Sequence, residues 1–247
     1  MHPYLLHAGH LYLPTFGVLA ACGLMLAIAL SQHTARLARI DADALWDAGL
    51  FAVLAAFVCS RLLLLAEHLR TFMRYPLLLL TVPSLTATGL LLTAIATYLW
   101  LRWKRVPLLH ALDAWASCAT LVWAFLALGH FAEGSDPGMM TTLTLGVTMP
   151  GESTPQHPVA VYVALVAFVL TAWLLVLLKR SQRTGETAAI ALVISGVAQF
   201  LLSFLRQPGV QAIAGLDVLQ FVALGMIVAG IVLWLSTTMK EAGELES

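Results

Sequence analysis

Apolar residues fall along this chain in seven long runs, at about 14–31, 47–66, 85–101, 112–129, 159–178, 188–205 and 216–236. About 20 apolar residues cross a hydrocarbon layer roughly 30 Å thick, and each run approaches that length. Within hydrocarbon every backbone N–H and C=O needs a partner inside the protein, so such runs form helices unless a closed barrel pairs them. A barrel would alternate apolar and polar positions, whereas Leu62–Leu65 and Leu77–Leu80 are unbroken. The pattern predicts an all-α membrane protein of seven transmembrane helices. Residues 1–247 read as a single polytopic domain, with no soluble domain and no internal repeat.

Composition strengthens this reading. The chain is 60% hydrophobic and 11% charged, against about 25% charged in an ordinary soluble domain. Its net charge of zero gives no footing for a nucleic-acid partner. Cys22, Cys59 and Cys118 lie inside apolar runs and make neither a disulfide framework nor a CxxC motif. They read as small core residues, and no metal or cofactor is expected. The first 14 residues contain no Lys or Arg, so the first run reads as a retained span rather than a cleaved leader.

The basic residues give the direction. Arg36, Arg39, Arg102, Lys104, Arg105, Lys179, Arg180, Arg183 and Lys240 fall on one side, Arg70, Arg74 and Arg206 on the other, and Arg61 inside the second run. Cytoplasmic connections carry the excess of Lys and Arg. The N-terminus is therefore expected outside, the C-terminus in the cytoplasm, and the longest loop, 130–158, outside. That loop has no Lys or Arg and is punctuated by Gly134, Pro137, Gly138, Gly146 and Pro150. Its Met- and Thr-rich middle reads as an extended or surface-lying segment.

Polar groups inside spans are costly and call for a reason. Ser195, Gln199, Ser203 and Arg206 recur at helical spacing and share one face. They form either a polar seam leading to a phosphate-binding Arg, or interhelical hydrogen bonds ending in an Arg that snorkels to water. The spacing alone favours the second. Arg61 either pairs with an anion or snorkels, with Glu67 as a possible partner. His130, Glu133, Asp136, Glu152 and His157 have the chemistry of an acid–base pair or a metal site. Their spacing fits no metal signature, so they read as residues of a solvated loop. Asp47 reads as the cap of the second helix, and Gly225 with Ala229 as a small-residue packing pair.

Four patches carry a likeness to a known family. They are Phe16-Gly17, Trp46-Asp47-Ala48-Gly49 followed by Arg61, His157-Pro158 with Tyr162, and Phe204-Leu205-Arg206-Gln207-Pro208 followed by Gln220. In them the chain resembles the prolipoprotein diacylglyceryl transferases, seven-span enzymes of the bacterial inner membrane with an outside N-terminus. The corresponding family patterns are Tyr-Gly, Gly-Arg, His-Pro-x-x-Leu-Tyr-Glu and Glu-Phe-x-Arg-x-Pro. The resemblance implies transfer of a diacylglyceryl group from phosphatidylglycerol to the lipobox cysteine of a prolipoprotein. The implied partners are phosphatidylglycerol or another anionic phospholipid and a prolipoprotein signal peptide. Such a reaction needs cations for the departing phosphate and a base or electropositive field for the thiol. On this basis His130, Arg206 and Arg61 are the catalytic candidates. Gln199, Ser203, Gly138, His157, Tyr162 and Glu133 are the substrate-binding candidates.

The chain departs from the family where charge is needed. The family signature Gly-Arg-x-Gly-Asn-Phe-x-Asn-x-Glu-x-x-Gly falls on residues 126–138, where Gly129, Phe131 and Gly138 agree. Ala127 stands for the Arg, His130 and Glu133 for the two Asn, and Ser135 for the Glu. Ala87-Thr88-Gly89 lacks the family's His, Gln199 and Ser203 replace an Arg and a Glu, and Phe16 replaces a Tyr. Altered or lost transferase activity is therefore expected, with His130 as a substitute base or partial cation. The alternative is a non-catalytic lipid-binding scaffold or sensor. A small transporter is disfavoured, because the pattern shows neither a deep carboxylate nor paired broken helices.

Overall fold

The computed structural model describes residues 4–8, 11–69, 86–148, 153–181, 183–207, 211–213 and 215–245. Helices dominate the described residues: α1 (Thr15–Leu37), α2 (Ala42–Glu67), α3 (Ala87–Trp103), α4 (Leu108–Glu133), α5 (Val159–Arg180), α6 (Glu186–Ser203) and α7 (Val218–Leu245). Each coincides with one apolar run. All but α3 are long and apolar enough to cross a membrane; α3, at 17 residues, falls short. Its start is set by Thr86, whose hydroxyl accepts the Gly89 N–H at 3.1 Å.

The connections are not all irregular, as an all-α reading implies. Three short antiparallel hairpins appear: β1 (Tyr4–Ala8) with β2 (Leu11–Pro14), β3 (Val147–Thr148) with β4 (Pro155–Gln156), and β5 (Gln211–Ile213) with β6 (Leu216–Asp217). They pair backbone groups that the helices cannot reach.

Polar residues at the helix ends extend the helices beyond the apolar runs. The cap of α2 is Asp41, whose carboxylate accepts the Asp43 N–H at 3.2 Å. Asp47, expected as that cap, is an exposed residue in the second turn.

In lipid, apolar side chains gain little by meeting each other, so close backbone approach and interhelical hydrogen bonds hold a bundle together. The closest pairs are α1 on α4, α4 on α5 and α6 on α7, with α2 packed on α3 and α1. Between α6 and α7 a Cβ on Gly196 would stand 2.7 Å from the Ala223 carbonyl, and one on Gly230 2.7 Å from the Ala189 carbonyl. Gly225, expected with Ala229 as a packing pair, would place a Cβ in open space. It lies two positions beyond Ala223, about 200° around the helix. Between α4 and α5 the hydroxyls of Thr120 and Thr171 are 2.8 Å apart, and between α1 and α4 Thr34 meets the Cys118 thiol at 3.8 Å. Cys118 is the core cysteine expected, while Cys22 is exposed on the helix surface; all three are free.

The apolar pattern gives no sign of a buried carboxylate, yet Asp113 in the second turn of α4 is only 4% exposed. It accepts the backbone N–H of Gly185 at 2.5 Å and of Ala188 at 2.8 Å. Asp113 thus caps α6 from a neighbouring helix and sets its charge at the positive end of the α6 dipole. Gly185 makes this possible with φ 88, a conformation that favours glycine. Asp113→Ala should destabilise the bundle by about 1–3 kcal/mol, because two buried donors lose their acceptor. Asp113→Asn, which keeps one acceptor, should lose less. Thermal unfolding of the detergent-solubilised variants, followed by tryptophan fluorescence, gives the comparison.

Candidate functional site at the hairpin end of the bundle

Helix α4 ends at Gly134, which adopts φ 72 and donates to the carbonyls of His130 and Phe131. The chain then turns back as an extended segment lying between two others. On one side Met139 N–H donates to Leu205 O at 2.8 Å and Gln207 N–H to Pro137 O at 3.1 Å. On the other, His157 N–H donates to Met139 O at 3.0 Å and Thr141 N–H to Pro155 O at 2.9 Å. Gly138 is thereby opposed to Arg206, and Met140 to Gln156. The first part of the 130–158 loop is the middle of a small ladder joining the end of α6 to the start of α5.

This ladder positions Arg206. Directly opposed residues in such a pair stand close, with their side chains on the same face. At Gly138 that space is taken by backbone, and a Cβ there would collide with the His157 carbonyl oxygen. The Arg206 Nη2 lies 3.0 Å from Asp136 Oδ2, with the two side chains 22% and 19% exposed. Its Nε is buried with no hydrogen-bond partner among the described residues. Arg206 is therefore held within the protein rather than snorkelling to water. Asp136 is correspondingly no solvated loop residue. It stands one position past Ser135, which occupies the place of the family's Glu.

Ser195, Gln199 and Ser203 lie on α6 as expected, but the helix ends at Ser203, and Arg206 stands beyond it in an extended bridge to Gly138 rather than on the helical face. Ser195 and Gln199 line a cavity of about 400 Å³ between α4, α6 and α7, walled mainly by apolar groups including Trp115, Trp123, Leu192 and Val222. The Gln199 Oε1 is buried without a partner among the described residues. Ser203 donates to Phe200 O at 2.6 Å and accepts from Gln220 Nε2 at 3.0 Å, while Gln220 Oε1 accepts the Asp217 N–H at 3.0 Å. Ser203 lies one helical turn beyond Gln199 on α6, and Arg206 N–H donates to the Ser203 carbonyl at 3.2 Å.

The remaining candidates divide. His130 is exposed, its Nδ1 is 2.8 Å from Ser135 Oγ, and its ring lies 4.9 Å from that of Phe16. Gly129 allows this approach, since a Cβ there would come within 2.7 Å of the Phe16 ring. His157 meets Tyr162 edge to face at 6.2 Å, and its Nδ1 is buried without a partner among the described residues. Glu133 is exposed at the end of α4. Arg61 lies over the Phe57 ring at 5.1 Å on α2, whose main neighbours are α1 and α3, whereas α6 packs on α7, α4 and α5. Helix packing therefore does not gather Arg61 with Arg206. Glu67 is exposed at the end of α2. Glu152, Arg70, Arg74 and Pro208 lie outside the described residues, as does the Lys240 side chain. Among the described residues no group of three His, Cys, Asp or Glu side chains is placed to hold a metal ion.

Two participants had little signal in the sequence. Gln156 is fully buried, with both amide atoms unpartnered among the described residues. Asp136 stood among the loop candidates by residue type, but its pairing with a helix-end Arg 70 positions away is a link that local spacing does not contain.

The fold and this site define a polytopic helical membrane protein with an apolar cavity between α4, α6 and α7 and a paired cation just past the end of α6. A family profile described as prolipoprotein diacylglyceryl transferase matches residues 3–236, and the chain belongs to that family. It is 22% identical over 238 residues to the phosphatidylglycerol–prolipoprotein diacylglyceryl transferase of Clostridium tetani, covering 94% of this chain and 96% of that protein. Against the protein of the same name from Paracidovorax citrulli it is 34% identical over 159 residues, 59% of this chain and 57% of the relative.

Gly138→Ala should break the ladder at its centre. The new Cβ must displace the backbone of His157, which should cost about 1–3 kcal/mol and expose the 136–148 segment. Limited proteolysis should cut the variant in this segment well before the parent protein.

Proposed function

We propose that the protein is a seven-span protein of the bacterial inner membrane, with the hairpin end outside, that binds phosphatidylglycerol or another anionic phospholipid. The observation that carries this reading is the Arg206 guanidinium, paired with Asp136 just beyond the end of the helix whose Gln199 lines the apolar cavity. An acyl chain suits the cavity wall, and a phosphate suits the guanidinium, whose buried Nε has no partner among the described residues. The relatives' shared name supports a diacylglyceryl transfer to a prolipoprotein cysteine. In that reaction the cysteine thiolate attacks the glycerol carbon bearing the phosphate. The C–O bond breaks, and glycerol phosphate leaves with the electron pair beside Arg206. His130, with Nδ1 held 2.8 Å from Ser135 Oγ, would take the thiol proton on Nε2 in the tautomer that keeps its proton on Nδ1. Gln199 and Ser203 offer neutral polar groups on α6, and the Gly138 strand, with His157 and Tyr162 beside it, fixes the Arg. Glu133, exposed at the end of α4, and Arg61, on α2, take supporting roles in substrate binding.

A specific observation favours the second reading, a lipid-binding protein without turnover. Ala127 stands where the family has an Arg, and it is packed in an apolar cluster with Val159, Val163 and Ala164. Each lost electrostatic donor typically costs about 10²–10³ in rate.

Purified protein with phosphatidylglycerol and a lipobox peptide should release glycerol phosphate. Arg206→Ala should lower that release by about 10²–10³ and weaken lipid binding. Lipid binding without release, beside a working relative, would establish the non-catalytic reading. Failure of the parent protein to bind phosphatidylglycerol would sink both.

A further inference from the structure

The 136–148 segment carries a surface that the phosphate site does not use. Met139, Met140, Leu143 and Leu145 are all exposed, Met140 at 70% and Leu145 at 68%. Leu143 and Leu145 sit at the tip of the connection leading into β3, where Gly146 N–H closes a turn on Leu143 O at 2.9 Å. The sequence from Pro137 to Gly151 contains no charged residue. A loop reaching into water rarely presents four large apolar side chains without a charge among them.

We infer that this segment lies in the lipid–water interface, with its Met and Leu side chains inserted among the lipids next to the bundle. Three observations select lipid as the occupant. The first is continuity: Met139 is hydrogen-bonded to Leu205, beside the exposed Leu201 and Phe204 on the membrane-facing side of α6. The apolar loop surface therefore extends a surface that lipid already covers. The second is tethering. The ladder ties residues 137–141 to the ends of α5 and α6, so the segment stays at the level of the helix ends. The third is composition. Thr141, Thr142, Thr144 and Thr148 are interleaved with the apolar residues, a mixture suited to the headgroup boundary, where apolar groups enter the acyl region and hydroxyls stay hydrated.

The placement has a consequence for the site. The strand that carries Gly138 and positions Arg206 is continuous with the inserted segment. A lipid headgroup arriving from the side would meet Arg206 at membrane level rather than above it. The inference does not rest on transferase activity and holds equally for a non-catalytic lipid binder.

Methionine oxidation tests it on the unaltered full-length protein. The protein is placed at one copy per disc in lipid nanodiscs of phosphatidylethanolamine and phosphatidylglycerol, open to water on both faces. It is treated with a water-soluble oxidant, and sulfoxide formation at each Met is read by mass spectrometry. Met25, exposed on the lipid face of α1, is the internal standard for membrane shielding. Free methionine in the same sample is the standard for open water. Met139 and Met140 should oxidise at a rate close to that of Met25 and about tenfold or more below free methionine. Rates close to free methionine would overturn the inference. Protection seen only in discs carrying two copies would also overturn it, by assigning the surface to a second copy of the chain. As a further check, Leu143→Asp with Leu145→Asp should raise the oxidation rate of Met140 toward that of free methionine. An unchanged rate counts against insertion.

Discussion

The hairpin end of this protein is organised around one close approach. At Gly138 the backbone passes between the end of α6 and the start of α5, with room for no side chain on the His157 side. The hydrogen bonds on either side of that glycine bind three segments that belong to different helices. Arg206, Asp136, His157 and Gln156 all take their positions from this ladder. The pairing is local and backbone-mediated, so it holds the loop without requiring any particular side chain beyond the glycine. This explains how the framework persists in a chain whose polar side chains differ at many places from the family pattern.

At the opposite end a different device acts by the same physical rule. The first N–H groups of α6 would be unpaired at a helix start packed against α4, and a buried donor without an acceptor is expensive. Asp113 supplies the acceptor from α4. The helix dipole and two charge-assisted hydrogen bonds offset the cost of placing a carboxylate there. The two contacts fix α6 at both ends, through Asp113 at its start and through the Gly138 ladder just beyond its last turn. The α6 face between them is the wall of the cavity.

The helices were legible because lipid imposes a simple rule: apolar length decides, and each run became a helix. What stayed hidden depended on contacts between segments distant in sequence. The series Ser195–Gln199–Ser203–Arg206 was readable from its spacing, but its fate was not. Arg206 looked like a snorkelling residue because nothing near it in sequence carries a partner; the partner, Asp136, arrives from another helix end. Likewise Gly225 and Ala229 gave a plausible packing motif, while the real α6–α7 contact uses Gly196, Ala223 and Gly230 on the other side of the helix. A small-residue pattern shows where backbones could meet, whereas the choice of face follows from all the neighbours together. Helix-end caps were harder still. Asp41 and Asp47 are equally good caps by residue type, and only the extra turn and a half of helix outside the apolar run decides between them.

The departures from the family are not a set of independent deletions. Ala127 is 5% exposed and packs with Val159 and Val163, so the place of an arginine has become part of the apolar core between α4 and α5. An arginine at this position would have to be accommodated among these apolar neighbours, and burying a charge is costly unless it is paired. At the ladder the change runs the other way. Ser135 has replaced the family's Glu, and Asp136 meets Arg206 from the next position. Asp136, one position past Ser135, supplies the carboxylate that pairs with Arg206, while the position of Ala127 is filled by apolar packing. The Arg206 guanidinium is already shared with Asp136, so any anion that approaches it has to compete with that carboxylate for the charge.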